Sequence, residues 1–134
     1  MGNRIKMPLI PDFAITSQRV MTQEGERAAA ILICGEKILD VISISKIPSD
    51  CPVEDMGNSV VMPGLVDTHV HINEPGRTDW EGFETATKAA AAGGITTLVD
   101  MPLNCIPVTT TVDALNQKIE ATKDQLWTTV DFMG

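Results

Sequence analysis

The sequence has no tyrosine, its aromatic residues amount to 4%, and its 134 residues include only three cysteines and two histidines. The cysteines at positions 34, 51 and 105 are odd in number and form no CxxC pair. We therefore expect no disulfide framework and no zinc ribbon, but small buried thiols in a reducing compartment. Basic residues are also scarce, at 10 against 18 acidic ones, for a formal charge of -8. Since phosphate binding needs clustered Lys and Arg, this excludes nucleic acid and an anionic membrane surface as main partners.

Long apolar runs are missing as well. No stretch approaches the roughly 18 apolar residues that suggest a membrane span. The N-terminal "MGNRIKMPLIPDF" contains Pro8 and Pro11 and lacks a secretory apolar region, while Lys6 stands where myristoylation of Gly2 requires Ser or Thr. We expect a cytoplasmic location, with a mitochondrial or peroxisomal one left open.

The first half of the chain has the pattern of a small all-β structure. "FAITSQRVM" alternates, "TQEGE" is a turn signal centred on Gly25, and "AAAILICGEKILDVISI" predicts two strands around Gly35. The following "SKIPSDCPVEDMGN" has two prolines and no periodicity, which is typical of a connector. The prediction for residues 12 to about 58 is therefore a set of short antiparallel strands.

From Val60 onwards the pattern is that of an α/β structure. "VVMPGLVD" predicts a buried strand, and "ITTLVDM" and "WTTVDFM" predict two more. Thr78 to Glu81 matches a capping box, and Gly93-Gly94 matches a helix end. The first helix has a predicted buried stripe of Trp80, Phe83, Thr87, Ala90 and Ala91. The second, capped within Thr110 to Asp113, has one of Leu115, Ile119, Thr122 and Leu126.

This alternation of strands and helices predicts a parallel sheet with right-handed crossovers. A complete eight-stranded barrel needs roughly 250 residues. About 75 residues follow Val60, so a barrel would be present only as its opening third.

Both histidines lie at the end of the first predicted α/β strand, in "VDTHVHINEP". Side chains alternate along a strand, so His69 and His71 share one face, roughly 6.5–7 Å apart along it, and could bind one cation. Asp67 lies on the same face, where it could orient a ligand. Asp100, near the end of the next strand, has no evident partner and is expected to be a poor third ligand. The residues alone leave open a polar strand end that binds nothing.

A resemblance extends this interpretation. "VVMPGLVDTHVHINEPGRTDWEGFETATKAAAAGGITTLVDMPLN" resembles the first two strands of the cyclic amidohydrolases, which include dihydroorotases, hydantoinases and allantoinases. The PG-x-x-D-x-H-x-H segment is typical of the superfamily, and "HINEPGRTDWEGF" with "AAAAGGITTLVDMPLN" is more typical of allantoinases. Dihydroorotases carry an arginine at the position of Asn73, and Leu103 interrupts their Met-Pro-Asn-Thr motif. An amide side chain at Asn73 suits neutral allantoin better than a carboxylate substrate.

The resemblance implies both the architecture and the chemistry. Residues 1–58 would be part of a small β-sandwich, and residues 59–134 the first three strands and two helices of a TIM-type (β/α)8 barrel. The implied reaction is hydrolysis of the cyclic amide bond of allantoin to allantoate, in purine degradation. His69 and His71 would bind a divalent metal, with binuclear zinc in the complete enzyme, which would be a homo-oligomer. Asn73 and Asn104 would contact substrate, although an Asn after a strand is more often a loop residue.

The remaining ligands implied by the family, including a bridging lysine, lie on strands that this chain does not contain. Lys88, Lys118 and Lys123 lie on predicted helical segments and cannot replace that lysine. We therefore expect an N-terminal portion, either a truncated isoform or an incomplete gene model, that is inactive alone and folds poorly because its third strand leaves an open edge. The alternatives are a dihydroorotase- or dihydropyrimidinase-type hydrolase, and a non-catalytic isoform that acts only through subunit association.

Overall fold

The computed structural model describes residues 10–134 and divides between Pro63 and Gly64 into two compact units. We call them the sheet unit, up to Pro63, and the β/α unit, Gly64–Gly134. The expectations about the N-terminal address concern mainly residues 1–9, which lie outside the described part. Together the units confirm the predicted α/β class, a β-sheet followed by parallel β/α repeats.

The sheet unit is built around one long central strand. Its elements are β1 (Phe13–Thr22), β2 (Gly25–Cys34), β3 (Lys37–Ile42), a short 3-10 helix (Ile44–Lys46), β4 (Val53–Asp55) and β5 (Val60–Val61). The strand order is β3-β2-β1-β4, and β5 also pairs with β1. The predicted hairpins are confirmed, since β1–β2 and β2–β3 are antiparallel.

Three expectations about the sheet unit are wrong. The segment predicted as a mere connector contains β4, and both β4 and β5 pair with β1 in parallel rather than antiparallel. Val60 also does not begin the strand that carries the histidines, because it pairs with Arg19 of β1. Since β4 has three residues, all exposed, its own sequence carries no periodic signal. Its place is set by backbone contacts such as Ala14 N–H to Pro52 O at 2.8 Å.

The β/α unit has the predicted order of elements. β6 (Leu65–Val70), α1 (Phe83–Ala92), β7 (Ile95–Asp100), α2 (Val112–Ala121) and β8 (Thr129–Phe132) follow one another along the chain. The three strands form a parallel sheet in the order β6-β7-β8. Its apolar core consists of the buried side chains of Ile72, Phe83, Ala90 and Leu98.

Helix α1 begins at Phe83, four residues later than an N-cap at Thr78 predicts. Its N-cap is Gly82, whose amide donates to Thr85 Oγ1 at 3.3 Å, while the Phe83 amide donates to Glu74 Oε2 at 2.9 Å. The carboxylate of Glu74, nine residues before Phe83, thus accepts from the first turn of the helix in place of the predicted capping box. Trp80 consequently lies outside the helix and is exposed. Ala91 lies within the helix but is exposed as well. The other stripe positions, Phe83, Thr87 and Ala90, are buried as predicted, and the helix ends at Gly93.

The predicted apolar stripe of α2 is wrong. The helix does begin within the predicted range, with Thr111 Oγ1 accepting from the Ala114 amide at 3.2 Å. However, its buried side chains are Ala114 and Lys118, whereas Ile119 is 44% exposed and Leu126 lies beyond the helix end. The buried face of α2 therefore lies one residue earlier than the predicted stripe, and it carries a lysine.

All three cysteines are free. Cys105 is buried as expected, but Cys34 and Cys51 are only half-buried. Within residues 10–134, neither helix has the length and apolar character needed to cross a membrane.

Candidate metal site

The two histidines lie side by side at the carboxyl end of β6. His69 is the fifth residue of the strand and His71 follows its last residue. Their ring centroids are 5.3 Å apart, with an angle of 61° between the ring planes. His69 is exposed and His71 is half-buried. The pairing predicted from their spacing therefore brings both imidazoles to one place at the strand end.

This pair has the features of two metal ligands. Imidazole nitrogens bind zinc at about 2.0–2.1 Å, so two ligands of a tetrahedral ion lie about 3.3 Å apart, which neighbouring rings at this separation can reach. Nδ1 of His71 is enclosed and has no hydrogen-bond partner in the described part of the chain. An enclosed imidazole nitrogen without a partner is unfavourable unless something binds it. In residues 10–134, no cluster of three or more His, Cys, Asp or Glu side chains could hold a metal.

Asp67 contacts the histidine segment through the main chain. Its Oδ1 accepts a hydrogen bond from the His69 amide at 3.1 Å. This bond holds the backbone of His69 at the point where β6 and β7 stop pairing regularly, between Asp67 and Val70. The carboxylate therefore fixes the course of the chain beneath the exposed imidazole.

A buried ion pair contacts the backbone of Ile72, the residue that follows His71. Asp100 Oδ1 accepts from the Ile72 amide at 2.7 Å, and Lys118 Nζ donates to the Ile72 carbonyl at 3.2 Å. Lys118 Nζ also pairs with Asp100 Oδ2. Both side chains are 1% exposed or less. The expectation that Asp100 lacks a partner is wrong, since Lys118 is that partner, and within residues 10–134 Asp100 forms no three-ligand cluster with the histidines.

The surroundings of the ion pair are largely closed to water. Lys118 Nζ lies 3.4 Å from Cys105 Sγ and 6.0 Å from the centre of the Phe83 ring. Burial raises the pKa of Asp100, while the Ile72 amide, the Lys118 ammonium and the His71 ring act to lower it. These neighbours therefore favour the ionised form of a carboxyl group whose burial disfavours it.

Sequence reasoning missed Lys118 because a single lysine in a helix is normally a solvated charge. The available signal was its position: it stands four residues after Ala114 and three before Ala121, which packs against the core. A lysine in line with small apolar residues at helical spacing indicates a buried ammonium that needs a carboxylate partner.

The two predicted amide side chains differ in burial. Asn73 is 8% exposed, and its Oδ1 has no hydrogen-bond partner among the described residues. Its backbone is held on both sides, with its amide donating to Glu81 O and its carbonyl accepting from the Arg77 amide, each at 3.0 Å. Asn104 is exposed, with a left-handed φ of 69°. Asn73 is therefore an enclosed amide near the histidines in sequence, and Asn104 a loop residue.

The loops that follow β6 and β7 pack against each other. The Ile106 amide donates to Pro75 O at 2.8 Å, and Arg77 Nη1 lies 3.5 Å from Asn104 O. Gly76 has a φ of 90°, and a Cβ there would lie 2.6 Å from Ile106 Cβ. Only glycine fits this approach, so the turn after the histidines is fixed against the next loop.

Comparison with known proteins places this geometry in a family. The sequence model of the Amidohydrolase family matches residues 60–134, more than half of the chain. This chain belongs to the amidohydrolase family. The predicted resemblance is thereby confirmed.

The curated relatives of this amidohydrolase chain include allantoinases. One from Streptomyces avermitilis is 52% identical over 92% of this chain and 28% of the relative. One from Saccharomyces cerevisiae is 45% identical over 93% of this chain and 29% of the relative. Among solved structures, L-hydantoinase (dihydropyrimidinase) from Arthrobacter aurescens matches with a TM-score of 0.81 and 31% identity, over 93% of this chain and 28% of that one. The chain therefore spans little more than a quarter of the length of these relatives.

Proposed function

We propose that this chain contributes to an allantoinase, which hydrolyses the cyclic amide bond of allantoin to give allantoate. The observation that carries the proposal is the pair of adjacent imidazoles at the carboxyl end of β6, with the enclosed Nδ1 of His71 lacking a partner. The two allantoinase relatives, at 52% and 45% identity, support the substrate. His69 and His71 are the proposed ligands of a divalent cation, zinc being the expected ion, with two ions in the complete centre.

The residues present have distinct parts in this chemistry. A bound divalent cation supplies Lewis acidity and lowers the pKa of a water molecule. His69 is the more exposed of the two imidazoles, and Asp67 holds its backbone in place. Asn73 offers an amide that can donate to and accept from the uncharged ureide groups of allantoin. Because hydrolytic metal sites usually use three protein ligands, we expect the 134 residues alone to be inactive.

A second candidate is a hydantoinase-type cyclic amidohydrolase. The observation favouring it is the structural match to L-hydantoinase at a TM-score of 0.81, although the identity there is 31% against 52% for an allantoinase. Both reactions open a cyclic amide, so the same pair of histidines serves either one. Supplying allantoin, hydantoin and dihydrouracil in parallel to a full-length amidohydrolase that contains this sequence separates the two candidates, and a preference for hydantoin or dihydrouracil would contradict the allantoinase proposal.

The metal part of the proposal can be tested on the untagged 134-residue chain by titrating it with Zn²⁺ in a calorimeter. We expect His69→Ala and His71→Ala each to weaken zinc binding by at least about tenfold, since each removes one of two ligands. Thr68→Ala, an exposed neighbour on β6, is the matched control and should bind as the parent does. Half-buried Cys34 and Cys51 are retained in every variant, so binding that survives the histidine substitutions is assigned to them. Equal zinc affinity in the parent and both histidine variants would refute the site.

A further inference from the structure

We propose that Lys118 and Asp100 form a buried clamp that positions His71 for cation binding. The inference rests on the proposed metal site and concerns two positioning residues that do not themselves contact the cation. The observation behind it is that the backbone N–H and C=O of Ile72, the residue after His71, are both hydrogen-bonded to this one ion pair.

The clamp acts where the sheet no longer determines the backbone. The last paired residues of β6 and β7 are Val70 and Asp100, and the final main-chain bond runs from the Met101 amide to Val70 O at 2.9 Å. His71 and Ile72 lie beyond that point. Their backbone direction must therefore come from contacts other than the strand ladder.

The two side chains fix two consecutive peptide planes. The amide of the His71–Ile72 peptide donates to Asp100 Oδ1 at 2.7 Å. The carbonyl of the next peptide, Ile72–Asn73, accepts from Lys118 Nζ at 3.2 Å. The Lys118–Asp100 pair links the two contacts, so neither plane can rotate alone. The backbone that carries the His71 ring is thereby restrained, and with it the direction in which the ring nitrogen points.

The pair is poorly explained as a device for stability alone. Removing two charges from water costs as much as their attraction returns, and apolar replacements of similar size are often equally stable or more so. Lys118 and Asp100 are both within 1% of complete burial. An ion pair that adds little net stability can still impose one conformation, and here the conformation concerns the residue beside a proposed ligand.

Lys118 is also enclosed by protein atoms. Its ammonium donates to the Ile72 carbonyl and to Cys105 Sγ, and it forms an ion pair with Asp100. It is closed off from water at 1% exposure. Its role toward the proposed centre is therefore positional.

The test compares folding with zinc affinity in the 134-residue chain. The variant Lys118→Met with Asp100→Asn carries no buried charge, and its Asn can still accept from the Ile72 amide, so we expect it to fold with a parent-like circular dichroism spectrum. We expect its zinc affinity to fall about 10–100-fold, the range known for residues that orient metal ligands. Its His71 ring nitrogens should shift in ¹⁵N NMR spectra more than those of His69. The control pair Lys123→Met with Glu120→Gln removes an exposed ion pair and should change neither readout.

Parent-like zinc affinity in the folded double variant would overturn the clamp while leaving the metal site intact. An absence of zinc binding in the parent would instead refute the proposed site, and the clamp with it.

If the double variant does not fold, hydrogen exchange in the parent chain tests whether the clamp and the histidines are coupled. Binding at one site and restraint at another are reciprocal, so Zn²⁺ should slow hydrogen exchange of the Ile72 amide by at least about fivefold. The exposed Asp131 serves as the comparison amide. Unchanged exchange at Ile72 when zinc is bound would show that the clamp and the histidines are uncoupled, and would overturn the inference.

Discussion

The two units of the chain satisfy their buried polar groups in different ways. In the sheet unit the buried polar side chains are hydroxyls, and Ser17 and Thr16 join β1 to the chain around β4 and β5. Its ion pair, Arg19 with Glu26, lies at the surface. The β/α unit also buries hydroxyls, those of Thr87 and Thr109, and has ion pairs at its surface, but in addition a charged pair, Lys118 with Asp100, is fully buried there. A hydrogen-bonded hydroxyl costs less free energy to bury than a charged group and can connect neighbouring strands. The buried charge pair, by contrast, lies at the strand end that carries the histidines.

The two units also differ in the size of their buried apolar side chains. The buried apolar side chains of the sheet unit are small: Ala14, Val20, Ala29 and Ala30. Those of the β/α unit include Ile72, Phe83 and Leu98, with the Phe83 ring 6.1 Å from that of Phe132. Stability in the β/α unit therefore depends on a few large side chains, and in the sheet unit on many small contacts.

The largest expected effect comes from removing the central side chain of each core. Phe83→Ala should lower the free energy of unfolding by about 3–5 kcal/mol, because it leaves a cavity among the largest side chains. Val20→Ala should cost roughly 1.5–2 kcal/mol, as it removes two methyl-sized groups at about 0.8 kcal/mol each. Urea unfolding is followed by Trp fluorescence for the β/α unit, which contains both tryptophans, and by amide hydrogen exchange for the sheet unit. Equal losses for the two substitutions would remove the contrast between the cores.

The sequence could predict the parts of the fold that depend on local periodicity. Loose alternation predicted β1, the turn signals at Gly25 and Gly35 predicted the division into β2 and β3, and helical spacing predicted the buried Phe83, Thr87 and Ala90 of α1. The histidine pair was also predictable, because a strand places residues two apart on one face, and the rings do lie together. These features need only a few neighbouring residues to specify them.

What could not be predicted depends on contacts between distant residues. β4 is too short to show a pattern and is defined by its pairing with β1. The start of α1 is set by Glu74, whose carboxylate displaces the local capping signal at Thr78. The burial of Lys118 depends on Asp100, on another element. In each case a tertiary contact overrides the local preference, and the site beside His71 is built from such contacts.

An intermediate effect is expected from the hydroxyl joint of the sheet unit. Ser17 Oγ donates to Ser59 O at 2.6 Å and accepts from the Arg19 amide at 2.9 Å, at the bulge of β1. Ser17→Ala leaves both groups without this partner and should cost about 1–3 kcal/mol in the free energy of unfolding. Ser45→Ala, in the exposed 3-10 helix, is the control and should change little. The measurement is the urea midpoint, with amide exchange near β5 expected to speed up first; a loss no larger than that of the control would mean that the hydroxyl does not join these strands.

The smallest effect concerns acid stability and again separates the units. The Gly57 amide and the Thr16 hydroxyl hold the pKa of Asp55 below its ordinary value of 3.8, with burial opposing them weakly. A depressed pKa contributes stability that is present above pH 3.8 and is lost as pH falls through the lower, folded-state value. Asp55→Asn removes this ionisation, so the variant should lose less stability than the parent between neutral pH and strongly acidic pH.

The acid loss should appear in amide exchange of the sheet unit and not in Trp fluorescence. Burial raises the pKa of Asp100, so the β/α unit does not share the lowered carboxylate pKa on which this prediction for the sheet unit depends. Glu54→Gln, exposed on the same strand as Asp55, provides the charge-matched control for the sheet unit. If the stability of Asp55→Asn and that of Glu54→Gln change with pH in the same way, the two hydrogen bonds to Asp55 add no more to stability than solvation of an exposed carboxylate does. The acid sensitivity of the sheet unit would then reflect its overall charge, and the contrast between the units would rest on the buried pair alone.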